Sequence, residues 1–110
     1  MDRRLGLRAR TDFGVITRDG SLASHCRGIE VSPSGLVVDR GRKVQTRDHR
    51  VLLGLEIRLP ERLRALQAVA RPVWFQGSHQ AFRFIQMSDV DRLTLAEHLD
   101  LLRLRGAAMC

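Results

Sequence analysis

The sequence predicts a mainly β fold, a small antiparallel β-barrel of about six strands with one C-terminal α-helix. Three observations predict it: several short β-rich runs separated by turn chemistry, one run of cleanly alternating apolar residues, and a single change to helical period near the end. At 110 residues the chain has the length of one domain with one modest core. Residues 1–10 read as a basic arm with Leu5 and Leu7 as its large apolar residues, and residues 11–110 as the barrel and helix.

From Asp12 the elements follow in order. Residues 13–17 are β-rich and stop at Asp19-Gly20, a favoured two-residue hairpin turn. Residues 22–31 form the second run. Ser32-Pro33-Ser34-Gly35 is a turn cluster, with proline fixing φ and glycine free to take a positive φ. Residues 36–39 make a short strand, followed by a polar loop around Gly41. In residues 51–59, Leu53, Leu55, Ile57 and Leu59 point one way while Gly54, Glu56 and Arg58 point the other, the pattern of a half-buried strand. Residues 66–75 form another strand, in which Pro72 predicts an edge or a bulge. Gln76-Gly77-Ser78-His79 reads as a hairpin loop and residues 81–87 as the returning strand. Ser88-Asp89-Val90-Asp91 then has N-cap and capping-box character. Leu93, Leu95, His98, Leu99, Leu102 and Leu104 recur at helical spacing as a core-facing stripe, and Gly106 reads as the stop, giving a helix over 88–105.

Composition narrows the function classes. No run of eighteen apolar residues predicts a membrane span, and the N-terminus has no apolar stretch of a leader, so the expected compartment is the cytoplasm. Cys26 and Cys110 share no spacing with each other or with the histidines, which predicts neither disulfide nor metal site. Cys26 reads as a small buried apolar residue. The formal net charge is +7, carried by arginine with Lys43 as the sole lysine, which fits an anionic partner. Biased genome composition would inflate arginine equally well, so position matters more than number. There is no G-x-S-x-G, Walker loop or H-E-x-x-H, and His25, His49, His79 and His98 are scattered, so no catalytic residues and no enzyme are expected. On residue type alone Trp74 reads chiefly as barrel core.

Two motifs stand out in order along the chain: Arg4-Leu-Gly-Leu-Arg8, preceded by Arg3, and Glu30-Val-Ser-Pro-Ser-Gly35, with 21 residues between Arg8 and Glu30. The pair resembles the PilZ family, whose signature is R-x-x-x-R near the N-terminus followed by [D/N]-x-S-x-x-G. The run ending at Leu59-Pro60 looks like the family's middle strand, Val73-Trp74 and Phe82-Arg83-Phe84 like its last hairpin, and Ser88 to Leu93 like the start of its C-terminal helix. The resemblance therefore spans the chain. Glu30 stands where the family has aspartate or asparagine, keeping the acceptor and adding a methylene. Ala81 stands where glycine is common.

The resemblance implies a receptor for the bacterial second messenger cyclic di-GMP, with no further cofactor. Arg4 and Arg8 would grip phosphate and guanine, Glu30, Ser32 and Gly35 would hold the base edge and shape the turn, and Trp74 would lie at the pocket rim. Arg3 before the motif goes with an intercalated ligand dimer in the family. The chemistry suits such a ligand, because a guanidinium grips phosphate in bidentate fashion and stacks on bases. As a stand-alone domain it is expected to signal through an unidentified effector protein when the arm closes over the ligand. Two alternatives remain: a PilZ-like adaptor for pilus, flagellar or secretion machinery that binds no nucleotide, and a basic barrel that binds nucleic acid. The last is disfavoured, because the chain has no tyrosine, one tryptophan and four phenylalanines to stack on bases.

Overall fold

The computed structural model describes residues 13–46, 52–60 and 62–109. Six strands, β1 (Phe13–Asp19), β2 (Leu22–Ser32), β3 (Gly35–Asp39), β4 (Leu53–Arg58), β5 (Leu66–Gln76) and β6 (His79–Met87), precede one helix, α1 (Asp89–Met109). They close into an antiparallel barrel in the order β1-β2-β3-β6-β5-β4. The expected mainly β barrel with a C-terminal helix is what the chain forms. Closure leaves β5 no free edge, so Pro72 is accommodated by a bulge, where the register of β5 on β6 skips Val73.

Period-two alternation fills the interior. Val15, Val38, Leu55, Ile57, Leu66 and Ala70 are buried and join Phe13, Leu36, Phe82, Phe84 and Met87 in one core. Cys26 is half-buried against that core. Two details of the strand reading shift. The β1–β2 turn is Gly20-Ser21 rather than Asp19-Gly20, because Asp19 pairs with Leu22. Gly20 takes φ 62°, the positive value that the first position of a tight hairpin turn demands. Glu56 points outward by alternation yet is nearly buried, held by Arg18 Nη2 at 3.2 Å and Arg58 Nη2 at 2.6 Å.

That clamp makes stability depend on pH. The hydrogen bond from Arg18 is the main cause holding the Glu56 carboxyl below its ordinary range; burial opposes it and Arg58 adds to it. Asp39 is likewise depressed, first by the Gly41 N–H at 2.8 Å and then by the Ser78 side chain. A depressed carboxylate contributes stability that is fully present above its unfolded pKa and is lost as pH falls through the folded one. The urea midpoint is therefore expected to hold from pH 7 to about 5 and to fall below about pH 4. Glu56→Gln should lower the midpoint at pH 7 and flatten the acid limb. An acid limb as steep in the variant as in the wild type would show that Glu56 has no part in it.

The two ends of the barrel close differently. At one, the segment after β3 folds back so that the Arg40 and Val44 N–H groups donate to Ser78 O (2.9 Å) and Gly77 O (2.7 Å). Arg40 Nε donates to the buried Gln80 Oε1 at 2.6 Å, giving that amide a partner inside the barrel. At the other end lies α1. Ser88 Oγ caps it by accepting the Asp91 N–H at 3.1 Å, as expected. The Asp91 carboxylate accepts from Arg64 Nη2 (2.6 Å) and the Gln67 N–H (3.1 Å), fastening the helix to β5.

The helix departs from expectation in two ways. It continues past Gly106 to Met109, since glycine costs a helix only about 1 kcal/mol and the following Ala-Ala-Met are good formers. The leucines also divide between two faces. Leu95, His98 and Leu102 are buried with Leu99 half-buried, whereas Val90, Leu93, Leu101 and Leu104 are exposed on another face. At 100° per residue the second group spans about 80° of arc around Glu97. Leu93 and Leu104 were expected in the core-facing stripe and belong instead to the outer face. Among the described residues no helix is long and apolar enough to cross a membrane.

Candidate ligand-binding cleft

The outward face of β2, β3, β6 and β5 carries two parallel rows of residues set by the strand register. One row runs Ser32–Gly35–Arg83–Arg71 and the other Glu30–Val37–Ala81–Trp74. Each crosses three strand gaps, roughly 14 Å. The centre of both rows is small or slim (Gly35, Val37, Ala81), while the ends carry polar, cationic and aromatic side chains. A cleft of about 550 Å³ results, lined among others by Glu30, Ser32, Ser34, Gly35, Trp74 and Arg83. That volume lies within the range of small-molecule sites.

Bulges aim its walls. Ile29 is skipped where β2 pairs with β3, immediately before Glu30, and Val73 is skipped immediately before Trp74. Along β5 the residues Ala68, Ala70 and Pro72 are buried, so uninterrupted alternation would turn Trp74 inward with them. The extra residue reverses the parity, and Trp74 stands 46% exposed beside the cleft. The core reading of Trp74 is thereby corrected.

The β2–β3 turn is braced by its own serine. Ser32 Oγ–H donates to Gly35 O and Ser32 Oγ accepts the Ser34 N–H, both at 3.3 Å. Ser34 O accepts the Phe84 N–H at 2.8 Å, tying the turn to β6. Gly35 was expected to supply a positive φ; it does not, and the positive-φ glycines described are Gly20, Gly41 and Gly77. Gly35 is needed for close approach: a Cβ there would penetrate the Phe82 carbonyl oxygen and come within 3.2 Å of Arg83 Cα.

Four of the residues singled out by the motif pair and the resemblance, Glu30, Ser32, Gly35 and Trp74, thus line one cleft. Arg3, Arg4 and Arg8 lie outside the described residues. Sequence reading missed Arg83 and Ser34 as cleft residues. Arg83 sits between two buried phenylalanines, Phe82 and Phe84, so alternation alone marks it as outward; only the register of β6 on β3 places it beside Gly35.

No protein-family model matches the chain, and no curated protein matches it. Among solved structures, the chain is similar to an uncharacterized Legionella protein, Lpg0364, with a TM-score of 0.51 and 16% identity over 87% of this chain and 90% of that one. At that identity the likeness concerns the barrel-and-helix fold, which is the fold this chain has.

Proposed function

We propose that the chain is a non-catalytic receptor for cyclic di-GMP, which binds between the N-terminal arm and the β2–β3–β6–β5 cleft. One observation carries the reading: Glu30, Ser32, Gly35 and Trp74, drawn from three strands, share a single outward cleft of nucleotide-sized volume. The cleft offers a carboxylate acceptor for a guanine N–H, hydroxyls, an aromatic face and a floor without bulky side chains. Arg4 and Arg8 would add the cations that two phosphodiester groups require, and Arg3 favours two ligands per site. Ligand capture would bring the arm against the barrel wall and change the surface shown to an effector protein in the cytoplasm. Isothermal calorimetry should show micromolar or tighter binding with a stoichiometry near two. Absence of heat at high protein concentration would remove the reading.

A second reading, an adaptor that docks a protein and binds no nucleotide, is favoured by the exposed Val90, Leu93, Leu101 and Leu104 on α1. It is also favoured by the longer carboxylate of Glu30, whose misplacement in a buried hydrogen bond costs about 1–3 kcal/mol. Glu30→Asp separates the two. A receptor gains up to roughly a hundredfold in affinity from a wild type that already binds. An adaptor shows binding only in the variant or in neither protein.

A further inference from the structure

Arg71 and Arg83 face each other directly across β5 and β6, both exposed on the outer wall. Like charges at opposed positions in a sheet repel. Neither guanidinium has a hydrogen-bond or ion-pair partner among the described residues, although carboxylates elsewhere in the fold, Glu56 and Asp91, are each claimed by arginines. Arg83 lines the cleft, beside Gly35 and one row from Trp74. Two opposed guanidiniums, one of them lining the cleft and neither paired with a described carboxylate, leave a place that an anion would stabilise.

We infer that Arg83, backed by Arg71, is a phosphoryl-binding pair built into the barrel wall and independent of the N-terminal arm. The inference rests on the cleft being a ligand site and adds to it a second, fixed source of positive charge. A guanidinium fork gives paired hydrogen bonds to phosphate oxygens, and two forks on adjacent strands converge within reach of one phosphate. The ligand would then dock on the barrel wall through Arg83 and Trp74. The repulsion between the arginines also predicts opposite effects on stability and binding. Arg71→Glu converts a repelling pair into an attracting one, so it should stabilise the free protein and weaken anion binding.

The test uses the full chain as wild type, Arg83→Ala, Arg71→Glu and the double variant Arg4→Ala/Arg8→Ala. Calorimetry with cyclic di-GMP is paired with arginine Nε–H NMR titrations using inorganic pyrophosphate at low salt. Arg83→Ala should weaken cyclic di-GMP by roughly 10- to 100-fold. Arg71→Glu should raise Tm by roughly 3 °C while weakening binding at least several-fold. Pyrophosphate should shift the Arg71 and Arg83 signals even in the double variant. Unchanged affinity in Arg83→Ala, or no shift at Arg71 and Arg83, overturns the pair and leaves the cyclic di-GMP reading standing. If the wild type ignores cyclic di-GMP but pyrophosphate saturates Arg71 and Arg83, and Arg83→Ala removes that response, the pair stands and the nucleotide reading falls.

Discussion

Arg4→Ala and Arg8→Ala are each expected to weaken cyclic di-GMP binding by ten- to a hundredfold or more, and together to bring it below detection by calorimetry. A hydrogen bond to a charged group is worth about 1.5–3 kcal/mol, and a bidentate grip makes two of them. Phosphodiester anions carry full charge at neutral pH, so losing either cation removes attraction that water does not replace. Binding should also weaken steeply with added salt, because exposed charges are screened beyond a Debye length of about 10 Å at 0.1 M. Thermal unfolding of the free protein should change little, since arginine side chains are seldom part of a core. A variant pair that binds as tightly as the wild type would exclude the arm from the site.

Gly35→Ala should strongly destabilise the barrel. Its Cβ would overlap the Phe82 carbonyl oxygen, which is backbone. Strand β6 cannot retreat, because it is paired with β5 on its far side and Phe82 and Phe84 are locked in the core. The β3–β6 spacing must open instead, breaking the barrel seam that forms the cleft floor. Overpacking of this kind costs about 3 kcal/mol, and Tm should fall by roughly 10 °C or more. Gly14→Ala is the matched control. Nothing lies within 4 Å of a Cβ there and its φ is ordinary, so the change should be neutral or slightly stabilising. Equal melting of the two variants would contradict the steric role of Gly35.

Much of this barrel is legible in the chain because its signals are local. The alternation of Leu53, Leu55 and Ile57 and the Ser88 cap each depend on neighbours a few residues away, and each stands where the sequence puts it. What escaped is what depends on partners across the sheet. Trp74 looks like core until the extra residue at Val73 reverses its direction. The need for glycine at position 35 comes from Phe82, a residue 47 positions later, and not from the turn chemistry beside it. Arg71 and Arg83 are two arginines among many until register sets them face to face. The outer apolar face of α1 shares its period with the inner one, so spacing alone cannot separate Leu93 from Leu95.

The central claim is that the dinucleotide sits in the cleft between the β2–β3 turn and Trp74, the chain's one tryptophan. Its most direct test is a nitrogen-15 NMR titration with cyclic di-GMP that follows the Trp74 indole N–H and the backbone amides of Glu30, Ser32, Ser34 and Gly35. Binding there predicts saturable shifts at all five together with Arg83, while β1 and β4, on the opposite wall, stay unmoved. Shifts confined to β1 and β4 or to the helix, or a spectrum indifferent to the ligand, would contradict it.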